Sequence, residues 1–151
     1  MDVLSVLKQD HETVKGLFAR FESAPKAAHD KKAAIFEQLR MELTVHSKAE
    51  QEIFYPALKA FDGDGRKLAM EAVQEHKQIE DLLTQISRIS PSDERFDDKV
   101  LALIEDADHH IVEEEGKMFQ FAKENLPTER LEELGDEIED RKRALERQLA
   151  A

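Results

Sequence analysis

A polar residue set inside a repeated apolar stripe limits this chain more than any other feature. Through four long segments apolar residues recur at alternating steps of three and four, the period of helices packed side by side. One step of each stripe is a histidine. Segment one, about 2–23, carries Leu4, Leu7, His11, Val14, Phe18 and Phe21. Segment two, about 30–60, carries Leu39, Leu43, His46, Glu50, Ile53 and Ala57. Segment three, about 67–89, carries Ala69, Val73, His76, Ile79, Leu83 and Ile86, and segment four, about 94–123, carries Val100, Leu103, Ala107, His110, Glu114, Met118 and Phe121. Each histidine falls close to the midpoint of its segment, so antiparallel packing brings all four to one level. Glu50 and Glu114 follow their histidines by one helical turn and join it.

Short breaker sequences separate the segments: Ala24-Pro25, Asp62-Gly63-Asp64-Gly65, Pro91-Ser92 and Asn125-Leu126-Pro127. Ser92 is placed to cap segment four, and Thr128 to cap a fifth segment, about 129–149, with Leu131, Leu134, Ile138 and Leu145 among dense charges. Pro56 is expected to kink or shorten segment two. With five Gly and four Pro in 151 residues, 40% hydrophobic and 37% charged, the chain reads as all-α. The expected architecture is an up-down-up-down four-helix bundle over 1–126, with 127–151 an additional C-terminal helix that packs along one side or serves a partner.

The chain also repeats itself. Aligning His11 with His76 sets Val14 on Ile79, Leu17 on Leu82, Phe18 on Leu83 and Phe21 on Ile86. Aligning His46 with His110 sets Leu39 on Leu103, Glu50 on Glu114, Phe54 on Met118 and Tyr55 on Phe119. His11 to His46 is 35 residues and His76 to His110 is 34, so two helical hairpins related by a pseudo-twofold axis would supply two equivalent half-sites.

Two carboxylates buried at one level cost several kcal/mol each unless something positive meets them. Four imidazoles and two bridging glutamates suit a pair of octahedral cations, with positions left for solvent, an oxo or hydroxo bridge, or a small ligand. The chain has no Cys, so thiolate zinc sites, iron–sulfur clusters and thiol nucleophiles are excluded. Mixed imidazole and carboxylate ligation favours iron, with manganese or zinc behind it. Glu115 is a weaker candidate, because only Glu114 keeps the offset seen at Glu50. Glu42 and Asp106, each four residues before a ligand histidine, are candidates to hold the imidazoles from outside. His29 in a loop and His109 off the stripe read as solvated. Three other metal motifs fail: no histidine has Glu three residues before it, Lys15 stands where His-Glu-x-x-His needs its second histidine, and Val73 stands where a calcium loop starting at Asp62 needs glutamate.

A net charge of −12 with dispersed Lys and Arg argues against a nucleic-acid partner. No basic leader with an apolar run and no stretch of 18 apolar residues is present, so the expectation is a cytoplasmic protein with no membrane segment. A protein partner or a second copy of the chain is left open.

The stretches Asp10-His11-Glu12, HSKAEQEIFYP from His46 to Pro56, Glu75-His76, and HIVEEEGKMF from His110 to Phe119 closely resemble, in order and spacing, the motifs of the hemerythrin-like, or HHE cation-binding, family. The resemblance covers nearly the whole chain. It implies a four-helix bundle around a non-heme di-iron centre, with His11 and His46 on one iron, His76 and His110 on the other, and Glu50 and Glu114 bridging. Oxygen-carrying members have His-x-x-x-His in the third helix, whereas this chain has Glu80 four residues after His76, as an extra ligand, a partner of bound solvent, or a partner of Lys15. The chain instead resembles the branch associated with responses to oxygen, peroxide, nitric oxide or iron. The expected function is to bind or react with dioxygen or a related small oxidant, for sensing or stress protection. The alternatives are peroxide turnover by an oxidoreductase and an iron sensor signalling through the fifth helix.

Overall fold

The computed structural model describes residues 1–150; Ala151, the end of the expected C-terminal segment, lies outside them. The elements are α1 (Val3–Ser23), α2 (His29–Ala49), a π turn π1 (Glu50–Phe54), α3 (Tyr55–Lys59), α4 (Asp64–Ser87), α5 (Glu94–Glu113), a second π turn π2 (Glu114–Met118), α6 (Phe119–Asn125) and α7 (Thr128–Ala150). The described residues contain no strand. α2–π1–α3 and α5–π2–α6 are each continuous along the chain, so four rods make the up-down-up-down bundle and α7 lies against α1, α2 and π1.

Caps set several of the starts. Asp2 accepts from the Ser5 N–H at 2.9 Å and opens α1. α5 is capped by Asp93, whose carboxylate accepts from the Arg95 N–H at 2.9 Å, rather than by Ser92. The Ser92 hydroxyl is turned to Ser90 instead, 3.0 Å away. His29 is the first residue of α2 rather than a loop residue, and is exposed. The turn before α4 closes at Gly63, the one residue at positive φ (79°) among the described residues, which leaves Gly65 inside the helix. Pro56 does not end its rod: it follows directly on the π turn as the second residue of α3, which runs on to Lys59.

The π turns correct the expected apolar stripes. A straight helix puts Ile53 and Ala57 in the core, but both are only partly buried, and Phe54, Tyr55 and Leu58 are buried instead. In the fourth rod Phe119 is buried as expected, but Phe121 of the stripe is only partly buried and Ala122 is buried instead. Each π turn begins at a stripe glutamate and spans five residues, adding one residue per turn, so everything after it is displaced along the face.

Two apolar clusters result. One joins Phe18, Phe21, Phe36, Leu39, Leu83, Phe96 and Leu103; the other joins Leu4, Leu7, Phe54, Leu58, Met118 and Phe119. α7 belongs to the second through Leu131, Leu134 and Ile138. It approaches so closely at Gly135 that a Cβ there would meet the Met1 carbonyl and lie 2.9 Å from the Val3 nitrogen. The level of the four histidines is the polar layer between the clusters.

Candidate metal centre

His11 from α1, His46 and Glu50 from the second rod, His76 from α4, and His110 and Glu114 from the fourth rod converge in this layer, each at most 5% exposed. They form two overlapping groups of four, His11, His46, Glu50, Glu114 and Glu50, His76, His110, Glu114, within which the ligand atoms all lie within 4.8 Å of one another. Glu50 Oε1 is 2.9 Å from His46 Nε2 and 3.1 Å from His76 Nε2. Glu114 turns one oxygen to His11 Nε2 and the other to His110 Nε2, each at 3.2 Å. Both carboxylates therefore span the two histidine pairs.

The four rings are held from outside through Nδ1, and the holders follow the repeat. Asp10 lies 2.8 Å from His46 Nδ1, and Glu75 lies 2.7 Å from His110 Nδ1. Glu115 lies 2.7 Å from His11 Nδ1, and the Gln51 amide lies 3.1 Å from His76 Nδ1. These four replace Glu42 and Asp106, the pair expected from spacing alone. Asp106 is exposed and Glu42 half-buried, since a side chain four residues earlier on the same helix is aimed along the rod, whereas the neighbouring rod faces the back of the ring. The signal that marks two of the true holders was present: an acid directly precedes His11 and His76 in both halves of the repeat. At His11, His46 and His110 an Nδ1–H donated to a carboxylate fixes the tautomer whose Nε2 lone pair points inward, the arrangement of a metal-ligating imidazole, whereas at His76 the Gln51 NH2 donates to Nδ1.

Tyr55 was not anticipated. Fully buried, it puts its hydroxyl 2.6 Å from Glu114 Oε2, 3.1 Å from Glu50 Oε1 and 2.8 Å from His76 Nε2. Its counterpart in the repeat is Phe119, whose ring stacks on His11 at 6.1 Å. The His76–His110 half thus has a phenol where the His11–His46 half has a phenyl. A cleft of about 30 Å³, bordered by Glu71, Glu75, Glu113 and Met118, also reaches His110 and Glu114 from outside. That is room for a water-sized molecule.

Charge balance in the layer is tight. Burial by itself would depress the imidazoles, but Glu50 and Asp10 outweigh it and hold His46 well above the ordinary histidine range. His110 is raised to about 10 against the same burial by Glu114 and Glu75. Burial would raise Glu114, yet hydrogen bonding with Glu50, His11 and His110 holds it well below the usual carboxylate range. The Tyr55 phenol is pushed well up, by burial first and then by Glu114 and Glu50. Without a cation, protons on His46 and His110 balance the two carboxylates.

The balance leaves atoms unused. His11 Nε2, His46 Nε2, Glu50 Oε2 and Glu114 Oε1 are buried without a hydrogen-bond partner, although they approach neighbouring donors and acceptors closely. Close approach without hydrogen-bond alignment, from nitrogens and oxygens around a common region, is what a cation that displaces the imidazole protons would satisfy. The residues present fit a metal.

The model of the hemerythrin HHE cation binding domain family matches residues 2–122. The chain belongs to this family. Among solved structures it is similar to an HHE cation binding domain-containing protein from Mycobacterium kansasii, with TM-score 0.86 and 29% identity over 98% of this chain and 89% of that one. It is 31% identical to a protein named DNA nickase from Nostoc sp., over 99% of this chain, and spans only 41% of that longer relative. It is 28% identical to Uncharacterized protein Rv2633c of Mycobacterium tuberculosis, over 91% of this chain and 83% of that protein.

Within the HHE bundle, Glu80 is exposed and outside both four-residue groups; it accepts from the Gln51 amide at 3.3 Å and so reaches His76 only through that side chain. Glu115 belongs to the outer partners of the rings. His109 is exposed beside Glu113. No helix among the described residues is long and apolar enough to cross a membrane.

Proposed function

We propose that this HHE protein is a non-heme di-iron protein that binds or reacts with dioxygen or a related small oxidant, in oxygen or redox sensing or in stress protection. One observation carries the proposal: two four-residue groups share Glu50 and Glu114, so a cation in either group has the same two carboxylates as its neighbour. In this reading His11 and His46 hold one iron, His76 and His110 the other, and the two glutamates bridge. Manganese or zinc would fit the donor types less selectively. When bound, a ferrous pair supplies two electrons together to one small oxidant.

The chain's own residues do the rest. Asp10, Glu75 and Glu115 orient rings, and the apolar clusters on either side keep bulk water from the layer. Tyr55 holds a proton 2.6 Å from Glu114, on the half that the cleft reaches. The acidic border of that cleft disfavours anions and leaves neutral dioxygen, nitric oxide or hydrogen peroxide as suitable visitors. Nucleic acid is not part of the proposal, on the strength of the −12 charge, and the cytoplasmic location expected from the sequence belongs to it. A second reading, peroxide turnover, is favoured by the Tyr55 hydroxyl, a buried proton source beside the site.

The test is an anaerobic iron titration followed by admission of oxygen. Two irons per chain and an absorption band that reverses when oxygen is removed would support binding, and a lasting oxidised product would support redox chemistry. Fewer than two tightly held irons would sink the di-iron assignment. Steady peroxide consumption abolished in Glu50→Ala would move the reading to the enzyme.

A further inference from the structure

A further break in the pseudo-twofold repeat, besides Tyr55 against Phe119 and Gln51 against Glu115, separates Asp10 from Glu75. Asp10 and Glu75 are equivalent: each directly precedes a histidine, and each bonds the Nδ1 of the histidine on the next rod. Yet Asp10 has a second partner. Lys142, from α7, donates to Asp10 Oδ1 while Asp10 Oδ2 faces His46, so a Lys142–Asp10–His46 chain runs from the last helix into the polar layer. The Asp10 side chain is 8% exposed and that of Lys142 18%, so water screens this contact little. Glu75 is 31% exposed, and its ion-pair partner among the described residues is His110 alone. α7 has no counterpart in the other hairpin and lies beyond the part of the chain the family model matches, which ends at residue 122.

We propose that Lys142 is a positioning residue for the His11–His46 half of the centre: it fixes Asp10, Asp10 fixes the His46 ring, and cation binding in that half is thereby tied to the seating of α7. This rests on the metal assignment above for its consequence, but its first step concerns only the protein. A lysine on Asp10 holds the carboxylate in one orientation and draws charge from its bond to His46. The His46 ring is therefore a weaker electron donor than His110, whose carboxylate has no cation on it. The two halves, alike in ligand type, differ in strength, and the one tuned by α7 lies farther from the cleft that borders His110.

The test compares Lys142→Gln, Lys142→Arg and Arg141→Gln in the full-length chain. Arg141 ties α7 to Glu52 at 2.5 Å without touching Asp10, so its variant loosens the same helix by another contact. The first readout is the set of histidine ring resonances in the metal-free protein. Lys142→Gln is expected to shift those of His46 and leave those of His76 and His110 in place, with Lys142→Arg close to wild type. The second is titration with cobalt(II), read by its visible absorption. Lys142→Gln is expected to weaken one of two equivalents about tenfold, the lower end for groups that hold a ligand from outside, and to leave the other unchanged. An unmoved His46 ring overturns the proposal, as does an Arg141→Gln variant that reproduces both effects. A wild-type chain that takes up no cobalt, with the His46 ring still responding to Lys142→Gln, would sink the metal assignment and leave the Lys142–Asp10–His46 coupling standing.

Discussion

Tyr55 lies five residues after Glu50 and donates its hydroxyl to that residue's carboxylate, 3.1 Å away. In an unbroken α-helix two residues five apart point about 140° away from each other. The π turn removes that divergence, because the Tyr55 N–H bonds the Glu50 carbonyl across five residues and both side chains face the layer. The same irregularity recurs at Glu114.

Tyr55→Phe should keep the ring packing, since Phe119 fills the equivalent place in the other half. Without iron, Glu50 and Glu114 lose a buried donor, and stability should fall by about 1–3 kcal/mol. Urea denaturation of the metal-free protein reads this, and an unchanged midpoint would mean that the hydroxyl carries none of the carboxylate charge. Iron uptake should persist while reaction with peroxide slows.

Glu114→Ala removes a donor from both four-residue groups at once, whereas Glu115→Ala removes only the outer partner of His11. The first should abolish stable binding of the iron pair. The second should weaken one ion about 10- to 100-fold. Iron retained per chain after gel filtration separates the two, and equal losses would contradict the assignment of Glu114 as the bridge.

The metal-free protein should lose stability as pH rises. His110 titrates near 10 in the folded chain against about 6.5 unfolded, so between these values the folded state holds the extra proton. Its contribution is fully present below about pH 6.5 and gone above pH 10, provided His110 is free of metal. Thermal unfolding in chelator across this window should show a falling midpoint. With cation bound, the proton is already displaced and the slope should flatten. Parallel curves with and without metal would rule this out.

Gly135→Ala should be among the costliest surface-helix substitutions. Its Cβ would run into the backbone of Met1 to Val3, which cannot turn aside as a side chain can. A loss of about 1–3 kcal/mol is expected, and a neutral effect in urea denaturation would show that α7 sits farther from the N-terminus.

The rods and the depth of the six polar side chains were legible because a three-and-four stripe is long-range information: His11, His46, His76 and His110 each sit within several turns of consistent pattern. The π turns were not legible. EQEIF carries no Gly or Pro, and the lone Gly116 of EEGKM is tolerated inside a helical pattern, so a straight-helix reading places Ile53 and Phe121 inward and passes over Tyr55. The outer partners of the rings failed for a different reason. Spacing alone points along the same rod, to Glu42 and Asp106, whereas Asp10, Gln51, Glu75 and Glu115 come from neighbouring rods, and only the repeat itself points across. Lys142 lies on a helix with no counterpart in the repeat, so nothing within the hairpins could signal it.

The two shared carboxylates belong to different hairpins. Glu50 comes with His11 and His46, and Glu114 with His76 and His110, yet each reaches across to the other pair. Neither hairpin owns a complete set of donors: each is a debtor to the other for its fourth. If the chain were cut at the turn around Gly63, the halves would hold three donors apiece, and a divalent cation should act as the glue that draws them back together. The fold behaves as two copies of one incomplete chelator, joined by a peptide so that they never have to search for each other.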